Sequence, residues 1–394
     1  MYDWEFIPLG ESGQWLSGGT PPDNPLFWGG DIPWISAKSM YSTYISSSAE
    51  YVTEAGAENG TRLVPPDTLL ILVRGMMLNR HVPIVLATCP VTFNQDIKAI
   101  IPNEKVNPRF LLYWLISQEN MLLQMVERSS HGTGKFTTNV LQNLMFPLPP
   151  LPEQRAIAAI LSTWDEAIAL TERLIVALRQ RKQALMQMLL TGHKTLPSGW
   201  RWGRLSEFLE QNKDYVTQLE NKLYPRISVK WWSKGAVVDK FDNGLDVKMK
   251  RHQIAKTGQI IVSEIWAKHG SIGIIPPNGN EALISSHFYL FDLLPNTENL
   301  SDYIYRLVQN NYFMRQSDDA SKGTTGYASI RATDFLQFKL PVPPPKDRQF
   351  IADVFQICEE LIVTYEAYLQ QLQAEKRGLM QQLLTGAIRV QVEE

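Results

Sequence analysis

The sequence predicts two copies of a mixed α/β module, each followed by one long α-helix. Three features carry that prediction: an internal repeat, an unbroken 3.5-residue apolar period closing each copy, and strand-like runs followed by a helix-like run inside each copy. The repeat comes first, because every boundary follows from it. Phe146-Pro147-Leu148-Pro149-Pro150-Leu151-Pro152-Glu153-Gln154-Arg155 returns as Leu340-Pro341-Val342-Pro343-Pro344-Pro345-Lys346-Asp347-Arg348-Gln349, an offset of 194 residues. The offset holds without a gap to Leu189-Leu190-Thr191-Gly192 against Leu383-Leu384-Thr385-Gly386. A weaker echo opens each copy, with Trp4 near Leu9 answered by Trp202 near Leu205. These limits give a module at 1–150, a helix at 151–192, a linker of turn-forming residues at 193–199, a second module at 200–345, a second helix at 346–386 and a tail at 387–394.

Inside the first module, Thr68–Val73, Val82–Ala87 and Asp96–Ile100 read as strands and Phe110–Ile116 as a helix. The second has strands at Gly258–Ser263 and Gly270–Ile275 and a helix at Tyr303–Val308. The first long helix places Ile157, Leu161, Trp164, Ile168, Thr171, Ile175, Leu178, Lys182, Leu185 and Leu189 on one seam. The second places Ile351, Phe355, Cys358, Ile362, Tyr365, Leu369, Leu372, Lys376, Leu379 and Leu383 there. Spacing of alternately four and three residues is that of a coiled-coil seam. Pro152 suits a first helical turn, and Gly192 and Gly386 suit a left-handed stop. About 36 residues at 1.5 Å each make a helix of roughly 54 Å. Neither seam can stay exposed, so the two helices are natural partners. Lys182 and Lys376 stand at the same place on the two seams. Such a lysine either fixes register or lies at the seam's edge and snorkels to water.

Composition narrows the function. With 11 Trp, 14 Tyr and 15 Phe in 394 residues the chain must bury large cores, which excludes disorder. Two cysteines, Cys89 and Cys358, make neither a disulfide scaffold nor a cysteine zinc site, and the six histidines lack metal-ligand spacing. The acidic start and the absence of a long apolar run predict a soluble, cytoplasmic protein without a membrane span. There is no phosphate-binding loop, dinucleotide fingerprint, nucleophile elbow or amino-methylating Pro-Pro-aromatic loop. The nearest catalytic pattern is Asp67 with Asp96 and Lys98, two acids and a lysine of the kind that hold Mg²⁺ in nucleases. A solvated turn acid and a solvated lysine explain it better.

The positive signal is basic. Between Arg226 and Lys256 stand eight cations (Arg226, Lys230, Lys234, Lys240, Lys248, Lys250, Arg251 and Lys256) against three acids, a net of +5 around Trp231-Trp232. Nucleic-acid phosphates call for such a stretch; a lysine-rich solvated face with core tryptophans is the alternative. In the first module, residues 1–60 carry eight acids against Lys38 alone, so that face suits solvent or a protein partner. Arg74, Lys135, Lys322 and Arg331 lie in loops of matching position in the two copies and are the candidates for base contacts.

Together, the repeat, the Pro-Pro lead-ins to heptad helices and the missing catalytic motifs resemble a specificity subunit of a type I restriction-modification system, across essentially the whole chain. Phe146–Ile157 is similar to that family's signature before its central helix, and Gly30-Asp31-Ile32-Pro33-Trp34-Ile35 to a motif near the start of its target-recognition domains. Val73-Arg74-Gly75 with Asn94–Ala99, and Gly258–Gly273, resemble others. Lys346-Asp347-Arg348-Gln349 departs from the signature's Pro-Glu-Gln-Arg. The resemblance implies a non-catalytic reader of double-stranded DNA. Each module would read half of a bipartite, asymmetric site. The helices would pack antiparallel, place the modules in a pseudo-twofold arrangement and set the spacer, 54 Å of helix being ample for readers one DNA turn, about 34 Å, apart. Two methyltransferase subunits and two restriction subunits would dock on it, carrying S-adenosylmethionine, ATP and Mg²⁺, while this chain binds no cofactor. A stand-alone nuclease using Asp67, Asp96 and Lys98, or a coiled-coil adaptor without a DNA role, are the competing expectations.

Overall fold

Residues 4–128, 132–191, 196–247, 251–295, 300–309, 312–321 and 329–391 are described by the structure, a computed structural model. The chain divides into two compact units: Met1–Arg173 with Ala367–Glu394, and Leu174–Glu366. Both long helices are thus shared out, each giving part of its length to each unit.

In the first unit, a five-stranded sheet runs in the order Gly13–Ser17, Ile97–Pro102, Leu69–Leu72, Ile84–Ala87, Tyr44–Ile45. Leu69–Leu72 is central and all four of its residues are buried, so it reads as a continuous apolar run rather than an alternating one. A smaller sheet holds Trp28–Ile35 between Glu50–Val52 and Thr92–Phe93. The helix Pro108–Ser117 begins where the Asn107 side chain accepts from the N–H groups of Arg109 and Phe110, and it buries Phe110 to Leu115. Ile157 and Leu161 of the first long helix and Met380 and Leu383 of the second join this same core.

The second unit repeats the plan with Leu209–Asn212, Phe288–Leu293, Ile260–Ser263 and Ile272–Ile274 in the main sheet. Leu223–Val229 lies between Ala236–Asn243 and Leu283–Ile284 in a second four-stranded sheet, which Gln253–Ile254 completes. The module helix is Ser301–Gln309. Met186 and Leu190 from the first long helix and Ile351 and Phe355 from the second complete its core.

Outer strand pairs correct the opening echo. Glu5 pairs with Leu148 and Arg201 with Val342, so residue 4 corresponds to residue 200. The counterpart of Trp4 is therefore Trp200, and Trp202 answers the exposed Phe6. Function follows the register: Trp4 Nε1 donates to Glu153 at 3.2 Å, and Trp200 Nε1 donates to Asp347 at 2.7 Å. Two tryptophans two residues apart cannot be told apart by composition, but only Trp200 is tucked inward, edge-on to Tyr303.

The long helices run Leu151–Met186, with a π-turn at Gln187–Thr191, and Pro345–Leu383. Every predicted seam residue is buried or half-buried. Gly386 adopts the predicted left-handed conformation at φ 73°, while Gly192 lies outside the described residues. In the first unit Asp165 of one helix meets Lys376 of the other; in the second, Lys182 meets Glu359 and Arg179 meets Glu366. Within each unit the helix segments therefore run antiparallel.

Candidate nucleic-acid interface

The strand Leu69–Leu72 ends in a turn that carries the first unit's cations. Val73 and Arg74 donate their N–H groups to the Asp96 carbonyl, and Arg74–Gly75 then joins a ribbon made by Glu127–Arg128 and Gly134–Lys135. In that ribbon Arg74 is directly opposite Lys135. Gly134 has to be glycine: a Cβ there would stand 2.8 Å from Leu78 Cβ and 2.9 Å from Val126 Cγ1. Like charges in a cross-strand pair repel, and among the described residues neither cation forms an ion pair. Glu127 faces Lys135 from the other side, which leaves the row one positive charge in excess. Arg80, His81 and Arg128 are exposed on the same turn and ribbon, and Asn79 Nδ2 fastens the two together through the Gly132 carbonyl at 2.8 Å. Two cations held facing each other suit a bridging phosphate.

In the second unit the equivalent turn after Ile260–Ser263 carries Trp266, Lys268 and His269. It abuts the hairpin loop 230–235, whose Lys230, Trp231, Trp232 and Lys234 are exposed. Arg251 lies 3.9 Å over the Tyr215 ring, a cation–π contact that leaves its charge on the surface. Other predicted cations are engaged: Arg226 and Lys240 both pair with Asp242. Arg331 holds Asp334 through Nε at 3.0 Å and through its other fork nitrogen at 2.9 Å, closing the start of a short helix. Lys248, Lys250 and Lys322 lie outside the described residues.

Geometry dismantles the nuclease pattern. The Asp67 N–H bonds the Ala87 carbonyl at one end of Leu69–Leu72, while the Asp96 carbonyl receives Val73 at the other. Six residues at about 3.3 Å per residue put roughly 20 Å between them, against the 2.0–2.1 Å that each ligand of a Mg²⁺ ion requires. Lys98 bonds the Ser17 hydroxyl instead. Among the described residues no group of three or more His, Cys, Asp or Glu is placed to hold a metal.

Between these surfaces and the long helices sit two latches that sequence reasoning missed. Lys376 pairs with Asp165, and Asp165 also accepts the Tyr113 hydroxyl at 2.6 Å, so a module side chain meets both helices. In the second unit Lys182 pairs with Glu359 at 2.7 Å, and Arg306 of the module helix bonds both Glu359 at 3.0 Å and Asp302 at 2.8 Å. Both seam lysines thus end on an acid of the other helix. Burial raises the Tyr113 phenol far above its ordinary range and the bond to Asp165 adds to this, so it stays a neutral donor. Burial also pushes the Glu359 carboxyl up, but Lys182 and Arg306 outweigh it and hold it below the ordinary glutamate value. The signal was available: Asp165 and Glu359 are themselves 194 residues apart. A second repeat was legible too, since Pro33-Trp34-Ile35-Ser36-Ala37-Lys38 and Pro225-Arg226-Ile227-Ser228-Val229-Lys230 run through the ends of the strands Trp28–Ile35 and Leu223–Val229.

The sequence matches the type I restriction modification DNA specificity domain twice, over residues 1–180 and 197–374. It is 34% identical over 192 residues to the EcoR124I/EcoR124II specificity subunit of Escherichia coli, a match covering 47% of this chain and 48%, about half, of that protein. The MjaIX specificity subunit of Methanocaldococcus jannaschii is 24% identical over 423 residues, covering 99% of this chain and 94% of the relative. Among solved structures, a chain from a study of complex assembly and conformational transition of the type I R-M system aligns with TM-score 0.64 at 17% identity, over 98% of this chain and 99% of that one. The S subunit from M. genitalium aligns with TM-score 0.54 at 14% identity, over 97% and 96% of the two chains.

Proposed function

Because this chain belongs to the type I restriction-modification DNA specificity family, we propose that it reads a bipartite, asymmetric double-stranded DNA site, one half-site per module. The observation that carries this reading is the Arg74–Lys135 pair, two exposed cations facing each other on the first module, neither of which forms an ion pair among the described residues. Lys230 and Lys234 are exposed beside the corresponding turn of the second. The long helices set the spacer between half-sites. They also carry an apolar face outside the seam, where Phe350, Ile357 and Leu361 of the second unit are exposed at helical spacing. That face suits helices of two methyltransferase subunits, with two restriction subunits joining for cleavage. S-adenosylmethionine, ATP and Mg²⁺ reside on those partners, and this chain, which does no chemistry of its own, binds none of them. Among the described residues no helix is long and apolar enough to cross a membrane.

A map of modified bases across the genome tests this, comparing cells that carry the chain and its methyltransferase with cells lacking only the chain. Loss of one split adenine-methylated motif is the expected result. An unchanged map would sink the reading and return the adaptor without a DNA role. Removing one heptad from one helix should alter the spacer or stop assembly while both half-site sequences persist.

A further inference from the structure

The loop 230–235 of the second unit, Lys-Trp-Trp-Ser-Lys-Gly, joins the strands Leu223–Val229 and Ala236–Asn243. Hairpin loops place their apolar residues inward unless something else fixes them. Here Trp232 is 55% exposed and Trp231 45% exposed. The backbone is also costly: Trp232 has φ 60° and Ser233 φ 50°, two successive residues in the left-handed region that L side chains avoid. Three sets of bonds hold that conformation. The Trp232 N–H donates to the His269 carbonyl at 2.8 Å, the Ser233 N–H to the Gly270 carbonyl at 2.9 Å, and the Lys230 N–H to the Gly235 carbonyl at 2.9 Å. The Ser271 hydroxyl adds a bond to the Val229 carbonyl at the loop's base.

Behind the loop the rings form a stack. Trp231 lies on His269 with centroids 4.9 Å apart and planes 23° apart, and leans on Trp266 at 5.3 Å. Trp232 takes part in no ring pair among the described residues. The loop therefore presents one unstacked indole, on a strained but bonded backbone, next in sequence to an indole that is itself stacked. Lys230 and Lys234 lie on the same loop and Lys268 on the turn to which it bonds, and among the described residues none of the three forms an ion pair. An apolar protein partner would not ask for three such lysines near one ring. A polyanion whose interior offers π-faces does.

We infer that Trp232 is an aromatic wedge of the second module, which packs its ring against a DNA base step while Lys230, Lys234 and Lys268 engage the flanking phosphates. This rests on the DNA-reading function above and adds the chemistry of one contact. The first module offers a parallel: the loop after its own Pro-x-Ile-Ser-x-Lys strand carries Tyr41, 81% exposed. The bonds to the second loop hold the Trp232 backbone in place before DNA arrives.

The test uses the full chain with its methyltransferase and a fluorescein-labelled duplex of mixed sequence, read by anisotropy over a range of salt. Trp232→Gly is the informative variant, because glycine prefers the backbone that tryptophan endures. It should leave Tm unchanged or raised while weakening DNA binding roughly ten- to hundredfold, the range of one lost base–aromatic stack. The salt slope should stay the same. Trp232→Phe should recover most of the affinity, and Lys234→Ala should instead lower the slope by about one. Binding of Trp232→Gly within twofold of the wild type, with Lys234→Ala still weakened, would overturn the wedge and leave DNA reading intact. A wild-type complex that ignores the duplex at every salt concentration would overturn both. Loss of the methyltransferase from Trp232→Gly with DNA affinity retained would show the loop to be a protein contact.

Discussion

The two units build the same parts from different side chains, and the contrast separates what the scaffold needs from what the reader needs. Each latch joins a seam lysine, an acid of the other helix and a group from the module helix. In the first unit the module supplies a neutral phenol, and the pair is well covered, with Lys376 at 14% and Asp165 at 19% side-chain exposure. The second supplies a guanidinium, and Glu359 is 43% exposed with Asp302 sharing the charge. The helix pairing survives this exchange because both versions end in a carboxylate with two donors. The outer turns differ in kind: two facing cations in one unit, stacked aromatics among lysines in the other. Surfaces that must recognise different half-sites are free to diverge, whereas the latch must close in both.

The sharpest way to break the comparison is to remove both acids. Asp165→Ala strands a covered lysine, while the Tyr113 hydroxyl keeps Tyr44 and Ser162, and should cost about 2–4 kcal/mol. Glu359→Ala leaves the buried Arg306 still paired with Asp302 while the half-buried Lys182 loses its partner, and should cost about 1–2 kcal/mol. Denaturant unfolding of each variant measures both. Equal costs would mean that burial does not distinguish the latches.

How far the sequence reached follows the same division. The helices, their seams and the central strands were legible because their signal is periodic or continuous over many residues. Trp28–Ile35 was not, since Gly29, Gly30 and Pro33 interrupt it and its pairing shifts between Trp28 and Ile32. Asp165 and Glu359 escaped because acids on a helix read as solvated until the partner helix is in place. Arg74 and Lys135 were named separately, and only the ribbon's register brings them opposite each other. The departure of Lys346-Asp347-Arg348-Gln349 from Pro-Glu-Gln-Arg left open how closely the second lead-in copies the first. In fact Asp347 keeps the tryptophan bond of Glu153, and Arg348 Nε reaches the Pro343 carbonyl as Gln154 Nε2 reaches that of Pro149.

A smaller effect probes the lead-ins. Burial raises the Glu153 carboxyl, but two bonds from Arg389 and one from Trp4 overcome it and hold it below its ordinary value. A carboxylate lowered on folding stabilises fully above its unfolded value, about 4.3. That stability is lost as the pH falls through the lower folded value. Arg389→Ala should therefore move the acid-unfolding midpoint of the first unit upward. The same variant should leave the second unit's midpoint in place, because Arg389 has no part in the Trp200–Asp347 bond. Circular dichroism against pH would show it, and a common shift of both units would deny that the two lead-ins are independent.

The smallest effect sharpens the contrast at the outer turns. Arg74→Ala relieves the repulsion on Lys135 and leaves Lys135 facing Glu127 alone, so stability should rise by a few tenths of a kcal/mol, while DNA affinity falls and the salt slope drops by about one. Opposite signs in folding and binding are what a preorganised phosphate site requires, since the folded protein holds two cations together before any anion compensates them. Lys230→Ala in the second unit has no facing cation to relieve, so it should weaken DNA binding without the gain in stability. Matching thermal shifts for the two variants, read side by side in a melting experiment, would show that the facing pair is not strained and that the two turns differ only in composition.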